Sequence, residues 1–355
     1  MSAAVRSSRV TRPPGAALRL SMLGPLPQLL REHGVEPARL LRGCGIEPGW
    51  FDDPGCHVPY ERAARVVHDA AAATGRPDLG LQLGRRFDLA MLGPTAGLMQ
   101  QSATVGAALK QLQRHSAAHD GGALVYLETA RHEAAFGYLL YDHSLPGVPL
   151  IYDVAIMMGW RMLRTLCGPA WRPSEVLFAC RRPKETSMHR RALGAPVRFD
   201  APRTEIRFAT RWLDQPIPGA DAAALAAAAR AVALIEGDPA DQVVERTRAA
   251  LQSLLLAGRS NAQRVAASVD MSERTLRRQL KQQGTSLKAM TSEVRLQLAR
   301  HYLLGTRLTL PEISDALQYA DLSAFARAFK KWTGMPPARW RMAGVLGKSG
   351  FHQSK

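Results

Sequence analysis

The sequence is short of the residues that build most catalytic or secreted scaffolds. Its 4 cysteines in 355 residues are Cys44, Cys56, Cys167 and Cys180. None forms a C-x-x-C pair, which argues against a zinc cluster and a disulfide framework and fits a reducing cytoplasm. No stretch approaches 18 consecutive apolar residues, so no helix is expected to span a membrane. G-x-S-x-G, H-E-x-x-H and G-x-G-x-x-G are all missing, which counts against an enzyme that turns over a metabolite in the first 236 residues. Residues 1–22 hold Arg6, Arg9, Arg12, Arg19 and Pro13-Pro14 but no uninterrupted apolar segment. That composition reads as a disordered basic arm rather than a secretory signal.

Acidic residues are also scarce. Against 47 Lys+Arg the chain carries 30 Asp+Glu, a formal net charge of +17. Residues 241–355 hold 19 basic and 8 acidic residues, and the remaining 28 and 22 lie upstream, where five of the arginines precede residue 32. A basic module therefore follows a nearly neutral one, the distribution expected of a nucleic-acid reader attached to something else.

The basic module contains a repeat. Asn261 to Gly284 and Leu310 to Gly334 each read as a short apolar helix, a tight turn and a basic helix closed by glycine. In the first copy Val265, Ala266 and Val269 supply a buried stripe, Asp270-Met271-Ser272 makes the turn, and Ser272 caps a helix whose Leu276 and Leu280 share one face. In the second copy Pro311 fits the first turn, Ile313, Ala316 and Leu317 form the stripe, and Asp321 caps a helix with Phe325, Ala328, Phe329 and Trp332 inside. Corresponding residues stay 48 to 50 positions apart, as in Val265 to Ile313, Leu280 to Phe329 and Gly284 to Gly334. Two helix-turn-helix units in series are a DNA-reading arrangement. Between them, Ser286 to Leu304 carries Leu287, Met290, Val294 and Leu298 at spacings of three and four without Pro or Gly, which predicts one continuous helix. Nineteen residues span roughly 28 Å at about 1.5 Å each. Successive major grooves on one face of B-DNA lie roughly 34 Å apart, so the shortfall suggests a bent site or incomplete insertion of one unit.

Upstream, Leu26–Glu32, Tyr60–Ala73, Val105–His115 and Pro149–Leu166 read as helices. Ala123–Leu127, Ala134–Tyr141, Glu175–Phe178 and Glu205–Phe208 read as strands. Asp221–Glu236 is helical by alanine propensity, and Gly237-Asp238-Pro239 marks the domain boundary. The fold class is an α+β N-terminal sensor domain joined to an all-α C-terminal domain with two tandem helix-turn-helix units. The expected organisation is an arm over 1–22, an α+β domain over 23–236, to which the resemblance described next assigns effector binding and dimerisation, a DNA-binding domain over 241–342 and a flexible tail over 343–355.

The run Val294-Arg295-Leu296-Gln297-Leu298-Ala299-Arg300-His301-Tyr302-Leu303-Leu304, followed by Phe325-Ala326-Arg327-Ala328-Phe329-Lys330-Lys331-Trp332-Thr333-Gly334 and Pro336-Pro337, resembles the arabinose-regulator (AraC/XylS) family of bacterial transcription factors over about 100 residues. Gln318 departs from it, standing where such proteins usually place glycine, which suggests a tilted second turn. Gly80-Leu81-Gln82-Leu83-Gly84, Gly194-Ala195-Pro196-Val197-Arg198-Phe199-Asp200 and Leu213-Asp214-Gln215-Pro216-Ile217 are similar to the arabinose-binding-like effector domain of one subgroup, from about 23 to 236. The resemblance implies a cytoplasmic, effector-responsive regulator, an activator by family habit. Its implied partners are promoter DNA, a small-molecule effector, RNA polymerase and a second copy of the chain, with no cofactor. It also sets Arg274, Arg277, Arg278, Ser323 and Arg327 at base-facing places, where arginine pairs with guanine. Lys281, Lys330 and Lys331 suit phosphates, which position a protein without reading sequence. An effector-independent architectural DNA binder would not need the neutral module.

Weaker signals lie in the sensor part. His115 and His119 stand four apart beside Asp120, a spacing for metal ligands, but no third ligand is visible, and capping or effector contact suits them better. His115, His119, Asp153 and Trp160 are the candidate effector residues, with His68, Tyr60 and Arg161 as further groups that packing would equally explain. Gly-Lys-Ser at Gly347 to Ser349 lacks the first glycine and the preceding strand of a phosphate loop.

Overall fold

The computed structural model describes residues 16–143, 145–236, 243–256 and 258–349. It begins with β1 (Ala17–Arg19), α1 (Leu26–Glu32), α2 (Pro37–Gly43) and β2 (His57–Pro59), which pairs antiparallel with β1. Then come α3 (Tyr60–Thr74), α4 (Leu79–Gly84), α5 (Pro94–Gln100) and α6 (Val105–His115). Strands β3 (Ala123–Thr129) and β4 (Glu133–Leu140) lead into α7 (Val148–Cys167), β5 (Glu175–Leu177), α8 (Ser187–Leu193), β6 (Val197–Arg198), β7 (Glu205–Ala209) and α9 (Ala222–Glu236). Strands β3 to β7 form one sheet in the order β3-β4-β7-β5-β6, antiparallel except for the β5–β6 pair. An α+β domain is thus followed by the all-α remainder.

Two features depart from the expected organisation. Residues 1–15 of the arm lie outside the described residues, but its last part is built into the fold: Ala17–Arg19 is a strand, and Leu18 and Leu20 are buried. The break at Gly237-Asp238-Pro239 also lies outside them. The segment expected to be a tail from 343 continues the last helix to Ser349, while 350–355 lie outside the described residues.

The hairpin β3–β4 has two working faces because strand side chains alternate. Val125 pairs with Tyr138 and Leu127 with Phe136, and these join the N-terminal core beneath α7. On the other face Leu124, Tyr126 and Leu139 join the core of the C-terminal helices. Tyr126 faces Gly137 across the pair, and a Cβ there would sit 2.0 Å from the tyrosine ring. Glycine lets the ring cross β4 so that its hydroxyl donates to buried Glu205 on β7 at 3.0 Å. Helix α4 uses the same device against α7: Cβ atoms on Gly80 and Gly84 would meet the Leu150 and Val154 carbonyl oxygens at 2.5 and 2.6 Å. The two glycines buy close helix packing at some cost in helix propensity.

The C-terminal domain comprises α10 (Val243–Leu256), α11 (Ala262–Ser268), α12 (Glu273–Gln282), α13 (Leu287–Gly305), α14 (Leu310–Ala316), α15 (Leu322–Thr333) and α16 (Pro337–Ser349). The expected linking helix is α13, capped by Ser286 through the Ala289 amide at 3.2 Å. The repeat is one helix longer than the motif alone reveals. Buried Val243, Thr247, Leu251 and Leu255 of α10 correspond to buried Met290, Val294, Leu298 and Tyr302 of α13, each pair 47 positions apart. Each unit is therefore three helices, and α13 is both connector and first helix of the second.

Candidate nucleic-acid interface and apolar cavity

Each helix of the two units is built from capping and burial. Asn261, Ser272 and Asp321 accept from backbone amides of α11, α12 and α15 at 2.8, 3.1 and 2.7 Å, and Thr309 forms a reciprocal capping box with Glu312 at α14. Leu276 and Leu280 anchor α12 against Val265 and Val269, while Phe325 and Phe329 anchor α15 against Ile313 and Leu317. With those faces buried, periodicity turns the remaining ones outward. Arg274, Arg277, Arg278 and Lys281 on α12 are exposed, as are Ser323, Arg327, Lys330 and Lys331 on α15. Among the described residues only Arg277 of these eight has an intramolecular side-chain partner, Glu273 one turn earlier. Gly284 and Gly334 follow the two helices at φ +72° and +80°.

Both turns hold a non-glycine residue in the left-handed region, Asp270 at φ +60° and Gln318 at φ +58°. Such a conformation costs an ordinary residue about 1–2 kcal/mol, and each turn offsets it with side-chain bonds. Arg246 of α10 donates to the Val269 carbonyl and to Asp270, both at 3.3 Å. Arg295 of α13 donates to the Gln318 carbonyl at 3.2 Å, and the Gln318 amide donates to the Leu255 carbonyl at 3.1 Å. The second turn thus accommodates Gln318 where glycine is usual by tying it to the end of α10. Arg295 also lies over the Tyr319 ring, 4.7 Å from its centroid.

The two domains meet behind this surface. Arg203 donates to Glu128 of β3 at 2.7 Å and also to the Leu256 carbonyl at the end of α10. His143, which bonds the Tyr152 hydroxyl at 2.7 Å, packs at a tilt against His301 of α13 with ring centroids 3.9 Å apart. Burial pushes the His301 pKa down to about 3, so its imidazole is neutral.

On the opposite face of the sheet, between β3–β4, α3 and α7, lies an apolar cavity of about 100 Å³. Its wall is aliphatic and aromatic except at one end, where Tyr60, His119, Asp120 and Tyr138 gather. Burial, with Arg19 second, pushes the His119 pKa down to about 3, so this imidazole is neutral as well. Of the expected effector residues the cavity takes in His119, and it also takes in Tyr60. His115 ends α6 half-buried and away from the lining. Asp153 is buried against His189 at 2.9 Å, its pKa raised by burial and partly restored by that histidine. Trp160 donates its indole N–H to the Leu193 carbonyl at 2.9 Å, Arg161 donates to the Phe87 carbonyl at 3.4 Å, and neither lines the cavity. Tyr138 and Asp120 were not expected as a pair. Their meeting depends on the hairpin register, which no local spacing encodes.

Residues 34–217 match the family model for the N-terminal arabinose-binding domain of AraC transcription regulator, and residues 265–343 match a helix-turn-helix domain model. The chain is 29% identical to the HTH-type transcriptional regulator VirS of Mycobacterium tuberculosis over 340 residues, covering 94% of this chain and 99% of that one. It is 26% identical to the ornithine utilization regulator of Pseudomonas aeruginosa over 322 residues, covering 89% and 93%. Among solved structures, transcriptional regulator CdpR from Pseudomonas aeruginosa aligns with a TM-score of 0.43 and 22% identity, covering 86% of this chain and 96% of that one.

Proposed function

The chain belongs to the AraC family of DNA-binding transcription regulators, and from that premise we propose that one protomer reads two adjacent major grooves on the same face of promoter DNA. The observation that carries this reading is the pair of exposed basic faces on α12 and α15 joined through the 19-residue α13. Arg274, Arg277 and Arg278 read bases in the first groove, and Ser323 and Arg327 read the second more sparsely. Lys281, Lys330 and Lys331 hold phosphates, so affinity falls steeply as salt rises. Arg277 exchanges Glu273 for DNA on binding.

The regulator acts as an activator in the cytoplasm, with RNA polymerase and a second copy of the chain as further partners. Its effector enters the apolar cavity of the α+β domain. Coupling runs through the hairpin β3–β4, one face lining the cavity and the other carrying Tyr126 against the helical domain. Beyond it Arg203 ties the sheet to the end of α10, whose carbonyls also receive Gln318 from the second turn.

Selection from a randomised-site library tests the assigned roles. Arg277→Ala changes the preferred base at one position, a loss of about 1–3 kcal/mol for the original base. Lys330→Ala weakens all sites alike. A uniform loss with both variants would refute the assignment.

A further inference from the structure

The hydrogen bonds at the polar end of the cavity specify what can occupy it. Tyr138 has one hydroxyl proton, and it donates to the Asp120 carboxylate at 2.6 Å. The Tyr60 and Tyr138 hydroxyls are also 2.6 Å apart. With the Tyr138 proton committed, Tyr60 must be the donor of that second bond. The Tyr60 oxygen is thereby left with lone pairs and no proton to offer the cavity, and among the described residues no other group donates to it. Position is fixed as well as polarity: a Cβ on Gly122 would lie 2.1 Å from the Tyr60 ring, so that ring packs flat on glycine backbone. His119 adds a neutral imidazole at the same end.

We infer that this cavity takes a small, neutral, largely apolar molecule carrying one hydrogen-bond donor, an alcohol of about single-ring size, with its hydroxyl donating to Tyr60. The inference rests on the assignment of the cavity as the effector site and names the ligand class for it. Size follows from the volume of about 100 Å³, on the scale of the roughly 150 Å³ cavity that holds one benzene. The aliphatic wall sets the apolar character. At Tyr60 a ketone of the same shape can be met only if that residue turns its proton away from Tyr138, leaving two hydroxyl oxygens facing each other without a proton; the other donor at this end, the neutral His119 imidazole, serves an alcohol as well as a ketone, so the alcohol alone satisfies both groups. A carboxylate adds that conflict to repulsion from Asp120, and an ammonium, though drawn to Asp120, finds both its oxygens already accepting from Tyr138 and the Gly122 amide and must shed its water among apolar side chains.

The test compares cyclohexanol, cyclohexanone, cyclohexylammonium and cyclohexane on the full chain by calorimetry and thermal shift. Cyclohexanol is expected to bind about tenfold more tightly than cyclohexanone, and cyclohexylammonium not to bind. Tyr60→Phe removes the preference for the alcohol over the ketone, and Ala155→Leu, which fills the cavity wall, abolishes binding of the alcohol, the ketone and cyclohexane. Ketone or ammonium binding as tight as the alcohol, or no alcohol binding at all, overturns the ligand class. In that case cyclohexane binding that Ala155→Leu abolishes leaves the cavity standing as a binding site. Alcohol binding that survives Ala155→Leu overturns the site itself. Alcohol binding with no change in transcription from a bound promoter supports the ligand class and removes the effector reading instead.

Discussion

The two helix-turn-helix units share a backbone plan but divide their resources differently. The first invests in charge: α12 presents Arg274, Arg277, Arg278 and Lys281 over a core of two leucines, and its turn is held by an Arg246–Asp270 pair. The second invests in packing. Phe325 and Phe329 meet at a tilt on the buried side of α15 with centroids 5.8 Å apart, Trp340 of α16 meets Phe329 edge-on at 5.8 Å, and Arg300 covers Trp340 at 5.3 Å. An aromatic core, a capping box and α16 brace the second unit, whereas the first exposes more basic side chains.

The contrast breaks most visibly at the aromatic core. Phe329→Ala is expected to cost about 3–5 kcal/mol and Leu280→Ala about 2–5, the upper part of each range applying only where the core cannot collapse. Because Phe329 also loses its contacts with Phe325 and Trp340, it should show the larger drop in urea midpoint. Equal drops would remove the distinction between the units.

Acid probes the helix that both units share. His301 titrates near 6.5 in the unfolded chain but is held to about 3 in the fold by burial. Between those values the unfolded state binds a proton that the folded state does not, so stability falls as pH drops below about 6.5 and levels off near 3. One such group is worth about 1.4 kcal/mol per pH unit, or about 2 kcal/mol by pH 5. His119 contributes in the same direction from the other domain. Comparing denaturation midpoints at pH 7 and 5 for the wild type and His301→Gln isolates this share, and an unchanged pH slope in the variant would contradict it.

The smallest difference lies in the turns. Gln318→Ala keeps the left-handed conformation and loses the bond to the Leu255 carbonyl, costing about 1 kcal/mol. Gln318→Gly loses the same bond but relieves the strain and comes back towards wild type. If glycine proves worse than alanine in thermal unfolding, strain is not what the Gln318 side chain offsets.

Much of this architecture is legible in local sequence. Leu26–Glu32 and Val105–His115 form helices with the expected limits, and the expected connector runs as α13 to Gly305. Elements fixed by long-range contacts were not legible. Leu79–Gly84 carries two glycines, which disfavour a helix by propensity, yet it is helical because only glycine lets it lie on α7. The part of α10 in the repeat was hidden because polar Thr247 and Gln252 occupy buried positions, Thr247 bonding back to the Val243 carbonyl at 2.6 Å. The basic faces were visible because amphipathic periodicity alone turns them outward. The cavity was not, since its polar end joins Tyr60 of α3 to Tyr138 of β4 through a register set by the whole sheet.

The central claim is that one protomer addresses two adjacent grooves with unequal stringency. Hydroxyl-radical footprinting of the full chain on its promoter, read beside the Arg274→Ala and Arg327→Ala variants, tests it most directly. The expected result is two protected patches about one helical turn apart on one DNA face, the first losing base preference with Arg274→Ala and the second changing less with Arg327→Ala. A single protected patch, or two patches that respond identically to the two variants, would contradict it.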